Sequence, residues 1–436
     1  MRCGFYETDI TPSIGSIIPG GFAARYVSEI LDPLFARAFV AVTENKALAV
    51  VSIDACGITQ DITQRIRERA AKFTSILAED IMVMATHAHG GGPTLNWGEE
   101  VVREERYITE LVNKAADAVI IAWKRAEEAE VFVGKTEVQG ISFIRIYRMK
   151  DGSYKTNPSS KEPEKIDGPY TSIDPELMIL YIKKEGRSVG AVANFATHPA
   201  TVATSQVTGD YISILSQEMK QIYGSEFVTV FINGACGNIN HINPFDADTR
   251  VKNRYREIGK ILSEKVLEAV QNAVPMQSNM LLSANKKITV HFRKPTADDL
   301  INAKEVFEEL GDDLSNSVPG TPNYQKMFFA WQAFRAMVDK HTEKQMELQL
   351  FQIGDIYIAG TPTQLFTEYG KAIKAGLQGN AMVAAFANDY CGYVPLDSFI
   401  GVPEVYEARL CPTSALAKGT GDLVVQGVME LQEALQ

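Results

Sequence analysis

Residues 35–53 read FARAFVAVTENKALAVVSI, and residues 81–93 read IMVMATHAHGGGP. The first stretch holds two apolar, β-branched runs, 35–43 and 47–53, separated by the polar trio Glu44, Asn45 and Lys46. That pattern predicts an antiparallel hairpin. The second opens on five apolar residues, 81–85, the length and composition of a strand buried on both faces. Between them, residues 59–75 carry a helical charge pattern. A hairpin followed by a helical crossover to another strand predicts a mixed sheet, because hairpins pair strands antiparallel and crossovers pair them parallel.

The alternation continues outward from there. Helical spacing returns at 104–126, and strand-like runs occupy 129–147. Residues 150–170, with Pro158, Pro163, Gly168 and Pro169, read as an excursion over the surface. Strands are expected near 176–183, 189–196 and 227–232, with helices at 211–223 and 254–272. Further on, 279–291 reads as extended and 297–311 and 322–342 as helical. Residues 345–359 read as a hairpin turning at Gly354 and Asp355, followed by a helix at 364–376 and an apolar run at 381–387. No internal repeat and no linker is visible, so residues 1–436 are expected to form one α/β unit, a mixed β-sheet core flanked by helices.

Composition narrows the function. Hydrophobic residues make up 45% and charged residues 22% of the chain, which excludes disordered and coiled-coil classes. The net charge of −11 opposes a phosphate backbone, and nucleic acid is not an expected partner. Five scattered cysteines without C-x-x-C spacing predict free thiols and a reducing compartment. No segment approaches the ~18 consecutive apolar residues of a membrane span. The N-terminus shows no leader pattern, and a cytoplasmic location is expected.

Six histidines are present, and three follow expected buried strands: His87 and His89 after 81–85, and His198 after 189–196. Loops at strand ends are where α/β sheets hold ligands. His-x-His can direct two imidazoles to one side of an extended segment, where one or both can ligate zinc with His198 from a neighbouring strand. The same residues can equally be polar loop residues. Gly91, within the three glycines 90–92, can expose backbone amides to an oxyanion. Asn238 and Asn240, in the loop after 227–232, are further polar candidates, and Cys236 beside them can be a buried thiol or a nucleophile. Arg145 and Arg148, on a strand-like run, and Arg25 are candidates to hold an anionic substrate group, although such arginines commonly sit in ion pairs.

In order along the chain, Asp9-Ile10-Thr11-Pro12, Gly20-Gly21-Phe22, Asp32-Pro33-Leu34-Phe35-Ala36-Arg37-Ala38, Thr86-His87-Ala88-His89, Asn194-Phe195-Ala196-Thr197-His198-Pro199, Gly209-Asp210, Gly392-Tyr393 and Tyr406-Glu407 resemble the motifs of the neutral/alkaline ceramidase family, in particular its shorter bacterial members. The resemblance implies a ceramidase-like α/β fold and a zinc amidase. It implies His87, His198 and Tyr393 as metal ligands, Tyr406 at the oxyanion and His89 close to the attacking water.

Two departures matter. The family's carboxylate ligand is matched by Gln364 in Pro362-Thr363-Gln364, so a neutral amide replaces an anion, with Asp389 and Glu368 as possible substitutes. Asn240 stands where ceramidases carry serine, which leaves it a substrate-positioning role. Full-length ceramidases also carry an immunoglobulin-like C-terminal domain for which 436 residues leave no room, and this points away from a membrane-lipid substrate. The leading expectation is a zinc-dependent hydrolase of an amide or ester bond in a small substrate. The alternatives are a metal-free binding protein with a degenerate pocket and a Cys236 thiol hydrolase.

Overall fold

The computed structural model describes residues 1–435 apart from Phe22, 98–100, Ala203, 252–253 and 319–320. Phe22 of the glycine-turn motif therefore lies outside the described residues. The hairpin expected at the start of the chain forms, within a unit that contains one more strand than expected. Strands β1 (Arg2–Asp9), β2 (Phe35–Val42) and β3 (Ala47–Ile53) pair antiparallel in chain order. Helix α1 (Gln60–Lys72) then crosses to β4 (Ile81–Ala85), which lies parallel to β3, and α2 (Glu105–Lys124) follows.

The same order is built again. Strands β5 (Glu130–Glu137), β6 (Glu176–Lys184) and β7 (Arg187–Phe195) are antiparallel, α3 (Tyr211–Tyr223) crosses to the parallel β8 (Val228–Asn233), and α4 (Arg254–Gln271) follows. A third round uses β9 (Leu281–His291), β10 (Glu343–Ile353) and β11 (Ile356–Gly360), but inserts two helices, α5 (Ala297–Leu310) and α6 (Pro322–Val338), between β9 and β10. Helix α7 (Thr367–Gly376) crosses to the parallel β12 (Ala381–Ala384), and α8 (Thr420–Leu435) follows. No repeat is visible in the sequence because the three units share topology and apolar patterning, not residues.

The inner faces of the three sheets meet in one core. Phe39, Val50 and Met82 come from the first sheet, Leu180, Val192 and Ile232 from the second, and Phe351, Ile358 and Met382 from the third. Each outer face is covered by its own helices. Ile62 of α1 and Leu111 of α2 pack with Val51, Leu215 of α3 and Leu262 of α4 with Phe231, and Ile373 of α7 and Val428 of α8 with Leu348. Burial on both faces explains the near-continuous apolar strands, each large side chain contributing about 1.5–3 kcal/mol.

The three crossover pairs end at the same place. Asn233, at the end of β8, donates its side-chain amide to the Thr86 carbonyl just past β4 (2.9 Å), and its carbonyl accepts from the Ala385 amide just past β12 (3.0 Å). The three crossover units thereby deliver their loops to one point.

Some expectations need correction. The helix expected at 322–342 stops at Val338, and that expected from 364 begins at Thr367, because Gln364–Leu365 pairs in parallel with Tyr393–Val394. Residues 150–170 contribute two strands, Tyr154–Thr156 and Ile166–Pro169, that flank Ile146–Met149. Helix α8 has no counterpart among the expected elements. Gly427 interrupts its apolar stripe, yet a Cβ there would come within 2.5 Å of Leu348 Cδ1, so the glycine is what lets α8 approach the sheet.

Candidate functional site

The loops that follow β4 and β7 bring three imidazoles together. His87 adopts φ 68°, a left-handed conformation that turns the chain sharply off the end of β4. Its ring lies flat on Phe386, 4.1 Å between centroids. His87, His89 and His198 have ring centroids 4.6, 4.9 and 5.1 Å apart.

Each ring commits its Nδ1–H to a backbone carbonyl. His87 donates to Cys56 O at 2.6 Å, His89 to Gly20 O at 3.0 Å and His198 to Cys236 O at 3.4 Å. A carbonyl only accepts, so these contacts set the tautomer and leave Nε2 as the bare lone pair on every ring. His89 Nε2 lies 3.4 Å from His87 Nε2 and 3.1 Å from His198 Nε2. Lone pairs at that distance repel unless something positive lies between them. Protonation does not supply it: burial pushes His87 down to about 3 and holds His89 and His198 well below the ordinary imidazole value. Neutral imidazoles with their far nitrogens pinned are the usual presentation of a metal-ligating histidine, and the donor set fits zinc.

Gly20 enforces this arrangement. Its φ is 98°, and a Cβ there would sit 3.0 Å from His89 Nδ1 and 3.3 Å from Cys56 Sγ. Gly20→Ala is expected to push the His89 ring off its carbonyl and, for a zinc ion held at this point, to lower affinity by ~10–100-fold, the usual cost of losing such an orienting contact. Strain at the positive φ adds a stability loss of about 1–2 kcal/mol. Chelator competition and thermal unfolding measure the two; wild-type zinc affinity in the variant would reduce Gly20 to a turn residue.

Around the imidazoles lies a cavity of about 360 Å³. Gln364 and Tyr393 face it, and Tyr406 does so from beside Tyr393, 6.0 Å between ring centroids. The Gln364 amide nitrogen donates to Tyr390 Oη, while its Oε1 is buried with no partner. Tyr393 Oη accepts from Arg145 Nη2 at 2.9 Å. The opposite wall is aromatic: Trp97 together with Tyr324, Phe328 and Trp331 of α6. The spacing of 324, 328 and 331 places them on one helical face, a stripe present in the sequence whose partner only the fold reveals.

The profile of the family described as neutral/alkaline non-lysosomal ceramidase, N-terminal, matches residues 2–252. The chain belongs to this family. Neutral ceramidase of Oryza sativa subsp. japonica is 25% identical over 220 residues, 48% of this chain and 27% of the relative, so the chain spans about a quarter of that protein's length in the matched region. The fold is that of neutral ceramidase from Pseudomonas aeruginosa, with a TM-score of 0.73 at 20% identity over 100% of this chain and 74% of that one. A structure of ceramidase complexed with C2 gives a TM-score of 0.71, also at 20% identity, over 100% of this chain and 75% of that chain. No helix of the described residues is long and apolar enough to cross a membrane.

Within this ceramidase fold, several expected site residues are occupied elsewhere. Arg145 is buried and spends its guanidinium on Glu407 (2.5 Å), Gly237 O (2.5 Å) and Tyr393 Oη, so it braces a cavity residue and does not itself line the cavity. Arg148 is exposed and paired with Asp167. Arg25 binds the Pro19, His89 and Thr204 carbonyls, tying the Gly20 turn to the histidine loop. Gly91 packs against the backbone of Ala55, where a Cβ would meet Ala55 Cα at 2.7 Å; it is needed for close approach and does not face the cavity.

Asn238 donates to Tyr170 Oη and Glu368 and accepts from the Thr367 amide, and Asn240 donates to Asn157. Both are interior struts outside the cavity lining. Neither proposed substitute carboxylate reaches the cavity: Asp389 is held by Lys344 and the Gln60 and Tyr390 amides, and Glu368 by Asn238. Cys236 is fully buried with its thiol pushed up to about 12, the state of a structural thiol. Trp97 and the α6 aromatics are cavity residues that the sequence did not single out.

Proposed function

We propose that this protein is a zinc-dependent hydrolase that cleaves an amide bond in a small N-acyl substrate, with ester cleavage as a related activity. The observation that carries the reading is that His89 Nε2, largely buried, lies 3.4 Å from His87 Nε2 and 3.1 Å from His198 Nε2. His87, His198, Gln364 and Tyr393 are the proposed holding residues, with His89 beside them. A zinc ion bound there supplies Lewis-acid polarisation of a carbonyl and acidification of a water.

The chain's own residues do the rest. The Tyr406 phenol, raised well above its ordinary value by burial, stays protonated and can donate to a developing oxyanion. Arg145 keeps Tyr393 Oη oriented toward the centre. The aromatic wall of Trp97, Phe328 and Trp331 excludes water and receives an apolar acyl group. A volume at the small end of the ~300–1,000 Å³ range of ligand pockets favours an N-acyl compound smaller than a membrane ceramide. Five unpaired cysteines support a reducing, cytoplasmic location.

A second reading, a binding protein that retains the pocket without the chemistry, draws on one observation: among the described residues no carboxylate lines the cavity. Element-specific metal analysis before and after chelation and zinc reloading separates the two. Near-stoichiometric zinc, with turnover of N-acyl amides in a screen graded by acyl length, is the expected result. A protein that takes up no metal on reloading overturns the hydrolase reading in favour of the binding one.

A further inference from the structure

On the premise that the protein is metal-dependent, as proposed above, we infer that the cation is held by a ligand set without any carboxylate. His89 is a ligand in its own right in that set, taking the place given above to Tyr393, alongside His87, His198 and the amide oxygen of Gln364.

Distance is the first ground. At a Zn–N length of ~2.0–2.1 Å, the edge of a ligand tetrahedron is about 3.3–3.4 Å. His89 Nε2 stands 3.4 Å from one imidazole Nε2 and 3.1 Å from the other, spacings close to that edge. The second ground is the tautomer. With Nδ1–H given to Gly20 O, His89 has no proton on Nε2 to donate, and the Nδ1–H contacts of His87 to Cys56 O and of His198 to Cys236 O leave none on theirs for it to accept, so the close approach is a coordination geometry and not a hydrogen-bonded one. A group whose lone pair is used this way holds no proton for catalysis, which leaves Tyr406 as the donor.

The third ground is the orphaned oxygen. Gln364 is 1% exposed, its amide nitrogen is satisfied by Tyr390, and its Oε1 has no partner while the residue lines the cavity. An unpaired buried carbonyl of that kind is destabilising unless a ligand answers it. Cys56 is the competing donor, since its thiol, His87 and His89 also lie within 4.8 Å of one another. Its sulfur, however, approaches His87 from the Nδ1 edge at 3.8 Å, the edge already donated to the Cys56 carbonyl. The thiol therefore lies behind the ring and not at the shared point.

A wholly neutral set leaves both charges of the cation uncompensated. It makes the ion a stronger Lewis acid and costs affinity. X-ray absorption at the zinc edge of the reloaded full-length protein tests the proposal without reference to activity, and three imidazoles in the wild type are expected. His89→Gln is expected to drop to two, with zinc affinity in chelator competition reduced by at least ~100-fold, more than loss of an orienting partner alone produces. Gln364→Glu is expected to tighten zinc binding at least tenfold by supplying an anion.

Two imidazoles in the wild-type spectrum, or unchanged affinity in His89→Gln, would overturn the inference while leaving a zinc enzyme in place. Unchanged affinity in Gln364→Glu would remove the amide oxygen from the set and overturn that part. A protein that binds no zinc overturns both this inference and the reading beneath it. Should His89→Gln fail to fold, as judged by metal-free thermal unfolding, the wild-type spectrum alone decides.

Discussion

On the proposed function, His87→Ala is expected to abolish zinc uptake and to lower amide hydrolysis by at least ~10³-fold, about 4 kcal/mol of transition-state stabilisation. The expectation follows from how many constraints meet on this one ring. It is buried, stacked on Phe386, pinned through Nδ1 to Cys56 O and directed at His89 through Nε2. Alanine removes the ligand without offering a substitute, and among the described residues no carboxylate lines the cavity to take its place. Steady-state kinetics beside metal analysis, with circular dichroism to confirm the fold, provide the check. Full activity in this variant would sink the proposed function.

Arg145→Met costs about 3–5 kcal/mol of stability, the penalty for stranding a buried charge. Glu407 is fully buried, and its two oxygens face Arg145 Nε at 2.5 Å and the Thr156 hydroxyl at 2.7 Å. Without the guanidinium the carboxylate must be protonated or drag water inward. The double variant Arg145→Met/Glu407→Gln is expected to recover most of the loss, because two neutral groups carry no desolvation penalty of that size. Urea unfolding of the two single variants and the double variant measures the coupling; additive losses would show that the ion pair does not act as a unit. Both Arg145 variants are also expected to lose turnover, since Tyr393 loses its donor.

How much of this was legible in the chain differs from residue to residue. The hairpin at 35–53, the strand at 81–85 and the helix at 211–223 could be read because their periodicity is local, and α3 falls on the expected residues. His87, His89 and His198 could be picked out because each follows a buried strand. The partner of Arg145 could not be read from the chain: a guanidinium on a strand looks the same whether it faces substrate or an ion-pair partner, and Glu407 is far along the chain. Asn238 and Asn240 pose the same difficulty, since amides suited to holding a substrate are equally suited to holding Tyr170 or Asn157. The aromatic face of α6 went unread, because the spacing of Tyr324, Phe328 and Trp331 does not say what the face covers.

By itself the sequence determined that the protein is α/β with strands buried on both faces, that its candidate site residues stand in loops after those strands, and that an amide occupies position 364. Those properties follow from side-chain size, polarity and spacing within a dozen residues. Only the tertiary structure decided that three crossover units converge on one end of a shared core. It also decided that each imidazole commits its Nδ1–H to a carbonyl, and that Asp389 and Glu368 are spent on other partners. These are relations between segments far apart in the chain, and only packing brings their atoms within hydrogen-bond distance.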